Sequence, residues 1–169
     1  STFNNLVSGE SLTITGSGTI SSGAVGSNKT ISLGTLTLAN GSGAASNYNL
    51  SGGTISVTER VINLSGSKTY NGTTSITTSD INTFGNIVTG ETLSLSGSGS
   101  VSSSAAENNK TLILGTIALS DGSGSVSNYT LSSGTHQVNI TRRSVDLSGT
   151  RVYDGSTDAS ASDLTTLGN

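Results

Sequence analysis

The chain repeats itself, and that one fact governs what it can fold into. Residues 1–57 align without a gap onto 82–138, and 31 of those 57 positions are identical. The copies share Phe3/Phe84, Gly9-Glu10/Gly90-Glu91, Gly16-Ser17-Gly18/Gly97-Ser98-Gly99, Asn28-Lys29-Thr30/Asn109-Lys110-Thr111 and Asn47-Tyr48/Asn128-Tyr129. After a two-residue change of length, Leu64-Ser65-Gly66 matches Leu147-Ser148-Gly149, and Tyr70-Asn71-Gly72 matches Tyr153-Asp154-Gly155. A period a little over eighty residues exceeds that of solenoid repeats. It is long enough for each unit to enclose a small core.

Within a repeat the apolar residues follow a strand period. Leu12 and Ile14 alternate with Ser and Thr, as do Leu93 and Leu95. Such alternation buries one face of a strand. Ile31 and Leu33 change phase to Leu36 and Leu38 across Gly34, and Gly115 stands at the same switch in the second copy. A bulge or bend is expected there. Asn40-Gly41, Asp121-Gly122, Asn71-Gly72 and Asp154-Gly155 signal tight turns. The best helix candidate is a single turn near Ser79-Asp80-Ile81 and Ser162-Asp163-Leu164, with Ser as the cap. The expected fold is all-β: tandem small antiparallel sandwich-like units forming an elongated rod. A grasp-like sheet with little helix is the alternative.

Two divisions of the chain are open. If the unit starts near Val61, then 61–143 is one complete repeat. Residues 1–60 then lack their leading strand, and 144–169 is the leading segment of a third repeat. A free strand edge attracts pairing. Segment 144–169 of one molecule is then expected to complete the 1–60 half of another, head to tail. The other division, 1–81 and 82–164, gives two self-contained units. Strands running through Thr54–Leu64 and Thr135–Leu147 are expected to join repeat to repeat.

The run Val145-Asp146-Leu147-Ser148-Gly149-Thr150-Arg151-Val152-Tyr153-Asp154-Gly155 carries a family signature. It combines with Gly90-Glu91, Asn109-Lys110 and Asn128-Tyr129, in order and twice. This pattern resembles the YDG-type repeat of large bacterial surface adhesins, many of them similar to the filamentous haemagglutinin, two-partner secreted family. Asn71 departs from it where Asp154 conforms. The resemblance implies a stalk repeat of a secreted or surface-anchored protein, supporting cell adhesion or biofilm formation, with no active site. The alternative is a module that binds carbohydrate or a host surface, using places where the copies differ, such as 104–108 or 135–140.

The residues offer little other chemistry. Charged residues are 10% of the chain, and net charge is −3. The only basic cluster is Arg142-Arg143, so the clustered cations that nucleic-acid binding needs are missing. There is no Cys, which removes disulfides and thiolate metal sites. No apolar stretch approaches the roughly 20 residues of a membrane helix, and no membrane insertion is expected. His136 is the single histidine and replaces Ile55 of the other copy. A packing or edge role is expected for it, and no enzyme activity. No cofactor is expected. Calcium is the one candidate, through Asp121, Asp154 and Asp158. Asn40 and Ser75 stand at the positions of Asp121 and Asp158, and turns account for the same residues. Lys29/Lys110 and Asn47/Asn128 raise a Lys–Asn cross-link, for which no acid is clearly placed. The expected partners are adjacent repeats of the same protein, and the expected location is outside the bacterial cell.

Overall fold

The computed structural model describes residues 3–168. Ser1, Thr2 and Asn169, the outer limits of the two terminal segments above, lie outside the described residues. The strands are β1 (Leu12–Thr15), β2 (Thr19–Ile20), β3 (Gly26–Ser32), β4 (Thr37–Asn40) and β5 (Thr54–Val57). Next come β6 (Arg60–Val61), β7 (Asn63–Thr69), β8 (Ser75–Thr77) and β9 (Ile81–Gly85). The second copy gives β10 (Leu93–Ser96), β11 (Ser98–Ser100), β12 (Glu107–Thr111), β13 (Ala118–Asp121), β14 (Tyr129–Thr130) and β15 (His136–Thr141). A final hairpin is β16 (Asp146–Gly149) and β17 (Leu164–Gly168). The all-β expectation holds.

One strand pair is the same in both copies. β1 lies antiparallel to β4 with Leu12 opposite Asn40, and β10 lies antiparallel to β13 with Leu93 opposite Asp121. The largest sheet runs β12-β15-β7-β9. Its two central strands, β7 and β15, are parallel, with Leu64 opposite His136 and Thr69 opposite Thr141. β9 and β12 flank them antiparallel. The remaining strands pair in smaller sheets of two or three strands, and an elongated rod is not among what the strand pairing shows.

Strand β7 opens the segment that closes the core. Ile62, Leu64, Ile76 and Ile81, from residues 61–85, pack with Leu93, Val101, Leu112, Ile117, Tyr129, Val138 and Ile140. Gly66 lies in this strand because nothing larger fits. A Cβ there would sit 1.9 Å from the Asp80 carbonyl oxygen, and one on Gly149 would sit 1.9 Å from that of Asp163. This approach explains the recurring Leu-Ser-Gly. The register of β7 against β9 also shifts between Ser65 and Gly66.

Local signals resolve in detail. The phase change at Gly34 is a tight turn: its φ is +56° and Leu36 N donates to Leu33 O at 2.8 Å. The Asn-Lys-Thr motif forms a bulge, with register shifts between Gly26 and Lys29 and between Glu107 and Lys110. Asn28 and Asn109 take φ of +53° and +55° there, a conformation Asn tolerates better than most side chains. Single 3-10 turns form at Thr78–Asp80 and Ala161–Asp163. Their caps are Thr77 and Ser160, not Ser79 and Ser162: Asp80 Oδ2 accepts from Thr77 N at 2.8 Å, and Asp163 Oδ2 from Ser160 N at 2.8 Å. Two further 3-10 turns, Ala45–Asn47 and Val126–Asn128, precede the repeated tyrosines.

The connection between copies is not one continuous strand. The span Thr54–Leu64 breaks into β5, β6 and the start of β7. β6 pairs in parallel with β14, and Ile62 N extends that pairing by donating to Thr130 O at 2.9 Å. Beyond β15, residues 142–145 separate it from β16.

The same leucine therefore has two environments. Leu64 is 1% exposed, whereas its counterpart Leu147 in β16 is 58% exposed. Leu64→Ala is expected to cost about 2–5 kcal/mol. Leu147→Ala should stay within about 0.5 kcal/mol in dilute solution. Urea unfolding of the two variants checks the contrast.

Candidate functional site

The residues shared by both copies converge on two places: a tyrosine–glutamate clasp and the junction between copies. Gly90 takes φ +88° in the turn that Glu91 N closes on Val88 O at 3.0 Å. Gly9 takes φ +83° in the equivalent turn, where Glu10 N donates to Val7 O at 3.0 Å. A positive φ of this kind favours glycine. The turn aims the glutamate at a tyrosine 38 residues on: the Tyr129 hydroxyl donates to Glu91 Oε2, and the Tyr48 hydroxyl to Glu10 Oε2. Each hydroxyl also accepts a backbone N–H, from Val88 at 3.3 Å and from Val7 at 3.2 Å. The Glu91 carboxylate holds the Tyr129 phenol proton, and burial adds to this, so its pKa lies above the ordinary value. Tyr48 is raised for the same first cause, its bond to Glu10.

The junction uses Asn128. Its Oδ1 accepts from Val25 N, in the first copy, at 2.9 Å. A shallow cleft of about 260 Å³ lies here, lined in part by Val25, Val57, Arg60, Val88, Glu91 and Tyr129. The Arg60 side chain donates through Nε to Asn86 O. The clasp, the junction asparagine and the arginine that leads into β7 thus meet at one place.

The other sequence candidates occupy structural positions. Lys110 is buried and its Nζ lies 2.7 Å from Glu107 Oε2. Gly26 stands where Glu107 does, so Lys29 lacks that partner. Lys110 and Asn128 are thus engaged with different groups. His136 is buried. Its Nδ1 accepts from Leu64 N at 3.2 Å and its Nε2 lies 2.9 Å from Leu131 O, which assigns the ring proton to Nε2. The histidine ties the first strand of the unit to the last.

Asp121 Oδ1 accepts from Val126 N at 2.6 Å, and Asn40 Oδ1 accepts from Ala45 N at 2.7 Å in the same role. Asp154 Oδ1 accepts from Ser156 N at 2.9 Å, as Asn71 Oδ1 does from Thr73 N at 3.1 Å. The Ser156 N–H holds the Asp154 carboxyl below its usual range. Asp158 offers its backbone carbonyl to Arg151 Nη1. Among the described residues, no three His, Cys, Asp or Glu side chains gather as a metal site.

One strand is flanked differently in the two copies, β5 against its counterpart β15. In the second copy, β15 is paired on both sides, by β12 and by β7. In the first, β5 pairs only with β3 among the described residues. Ile55 on β5 is 48% exposed, whereas His136 at the equivalent place is 8% exposed. An apolar cleft of about 490 Å³ beside it is lined by Gly18, Thr19, Ile20, Ile31, Leu36 and Ile55. The equivalents of Ile20, Ile31 and Leu36 are Val101, Leu112 and Ile117, all in the closed core.

These features define a β-rich repeat whose shared side chains hold its own turns, strands and joints. The chain belongs to the YDG domain family, which matches residues 1–57 and again 56–137. The match corrects the wider attribution drawn from the tyrosine motif. It reaches the YDG domain alone and does not extend to filamentous-haemagglutinin-like, two-partner secreted adhesins. No curated protein and no solved structure matches the chain.

The clasp predicts a pH dependence. A tyrosine whose folded pKa is raised contributes stability that is present below the unfolded value near 10 and lost as pH rises through the folded value. Melting temperatures measured from neutral to strongly alkaline pH should fall on that limb. Tyr129→Phe should melt lower at neutral pH, with a shallower alkaline decline.

Proposed function

We propose that the chain is a non-enzymatic structural spacer, a repeat that contributes reach and stiffness within a longer protein. The setting we propose is the outside of a bacterial cell, where the chain would hold other parts of the protein at a distance and support adhesion or biofilm formation. The observation that carries the reading is the joint between copies. Only Thr58 and Glu59 separate β5 from β6, and Asn128 holds Val25 across the junction. Two residues leave little freedom to flex. The residues that recur are spent on clasps, bulges and turns, which is what a repeat selected for shape requires. On this reading the unit runs from the strand after Val61 to the end of β15, and repeats follow one another as a rod. No cofactor enters the reading.

The rival is a carbohydrate- or host-surface-binding module. A glycan array with a cell-adhesion assay separates the two. Specific, saturable binding by this chain alone would overturn the spacer reading. The joint has its own measurement. Asn128→Ala is expected to broaden the distribution of distances between spin labels on the two copies, at Ser42→Cys and Ser132→Cys, while the fold of each copy is retained. An unchanged distribution would remove Asn128 from the joint.

A further inference from the structure

Two Asn-Gly pairs occur in the chain, Asn40-Gly41 and Asn71-Gly72, and the fold treats them in opposite ways. A glycine after asparagine leaves its backbone nitrogen unshielded by a side chain. That nitrogen can attack the asparagine's own amide carbon. The attack needs room for the peptide to rotate. It also needs donors for the negative charge that develops on the amide oxygen.

Asn40 lacks the room. It ends β4 in the ladder, opposite Leu12. Gly41 N donates to Gly43 O at 3.2 Å, and a Cβ on Gly41 would lie 2.4 Å from Ser11 O. Its Oδ1 accepts from the Ala45 backbone N–H at 2.7 Å.

Asn71 has both. It lies in the loop between β7 and β8, where residues 70–74 are all exposed. Nothing stands within 4 Å of a Cβ on Gly72. Asn71 Oδ1 accepts twice from Thr73, from N at 3.1 Å and from Oγ1 at 3.0 Å. Behind the hydroxyl stands a cation. Lys68 is buried, and its Nζ donates to Thr73 Oγ1 at 2.9 Å and to Ser75 O at 2.5 Å. A hydroxyl that accepts from an ammonium donates more strongly onward. Ammonium, hydroxyl and amide thus form a line that favours negative charge on Asn71 Oδ1.

The equivalent loop holds that charge already. Asp154 stands at the position of Asn71. Its Oδ1 accepts from Ser156 N at 2.9 Å. Arg151 Nη1 donates to Ser156 Oγ at 2.8 Å, as Lys68 does to Thr73. The Ser156 N–H, and after it the Ser156 hydroxyl, hold the Asp154 carboxyl below its usual range. Gly72 and Gly155 both take φ +80°, so the turn is the same with either residue.

We propose that Asn71-Gly72 is a self-modifying site, at which the fold promotes conversion of Asn71 to aspartate. The Gly72 nitrogen bonds to Asn71 Cγ and yields its proton to water. The Cγ–Nδ2 bond breaks and ammonia leaves. Water then adds at Cγ of the cyclic imide, the bond from Cγ to the Gly72 nitrogen breaks, and that nitrogen regains a proton. The Thr73 donors face the oxygen that carries charge in both additions. They therefore favour opening at Cγ, which gives aspartate, over opening at the backbone carbonyl, which gives isoaspartate. The loop becomes the Tyr-Asp-Gly that Tyr153-Asp154-Gly155 already is.

The whole chain, incubated at mildly alkaline pH and mapped by peptide mass spectrometry, tests this. Asn71 is expected to show the mass shift of an amide becoming a carboxyl well before Asn40 does. In urea the two rates should converge. Thr73→Val should slow Asn71 by about three- to tenfold and raise the share of isoaspartate. Thr73→Ser should keep the native rate and product ratio. Equal rates at Asn40 and Asn71 in the folded chain overturn the proposal. So does a folded Thr73→Val chain, judged by circular dichroism, whose Asn71 converts as fast as the native one.

Discussion

The parallel pairing of β7 with β15 is what the rest of the closed unit depends on. It joins Leu64–Thr69 to His136–Thr141 along six consecutive positions. It brings Ile62 and Leu64 over the sheet formed by the later strands, and it lets His136 spend both ring nitrogens on backbone groups. The first copy serves as an internal comparison. Its body shares 31 of 57 aligned positions but has no partner beside β5 among the described residues, and there Ile20, Ile31 and Leu36 are only half buried. With aromatics at 4% of the chain, burial comes from enclosing small aliphatic side chains on all sides. Area removed from water is what stabilises such a core, and an open side forfeits much of it.

Hydrogen bonds do the remaining ordering. Few groups carry charge, so hydroxyls, amides and carboxylates are directed at backbone groups close to where the chain must turn. Glu91 with Tyr129, Asp80 with Thr77 and Asn71 with Thr73 each tie a loop to its own strand ends. No described buried side-chain nitrogen or oxygen lacks a partner. That matters in a thin core, where one unpaired polar group costs about 1–3 kcal/mol.

Much of this is legible in the sequence and some is not, for reasons of distance along the chain. The alternation of Leu12 and Ile14 and the turn at Asn71-Gly72 are local signals and read correctly. The single helical turn near Asp80 is legible too, but its cap lies two residues before Ser79, because Thr77 and Ser79 are both hydroxyls within reach. A strand period says which face is buried and nothing about which neighbour lies alongside. The parallel partner of Leu64 is 72 residues away, beyond any local pattern. The same holds for Asn128, whose partner Val25 lies 103 residues away. Gly66 carries a usable signal: a glycine recurring inside a strand marks a close backbone approach. The recurrence of Glu10 and Glu91 in step with Tyr48 and Tyr129 is a second such signal.

The order of strands also sets how the unit meets a pull along the chain. Tension enters at the Val61 end of β7 and leaves at the Thr141 end of β15. Because these strands are neighbours and run parallel, the two forces act at opposite ends of one ladder. Its hydrogen bonds are loaded in shear and must give way together. In an antiparallel hairpin pulled at its open end the bonds would break singly, like a zip. Resistance to force is governed by the rate of unfolding rather than by equilibrium stability. A unit with so slight a core can therefore be modest by calorimetry and stubborn under load.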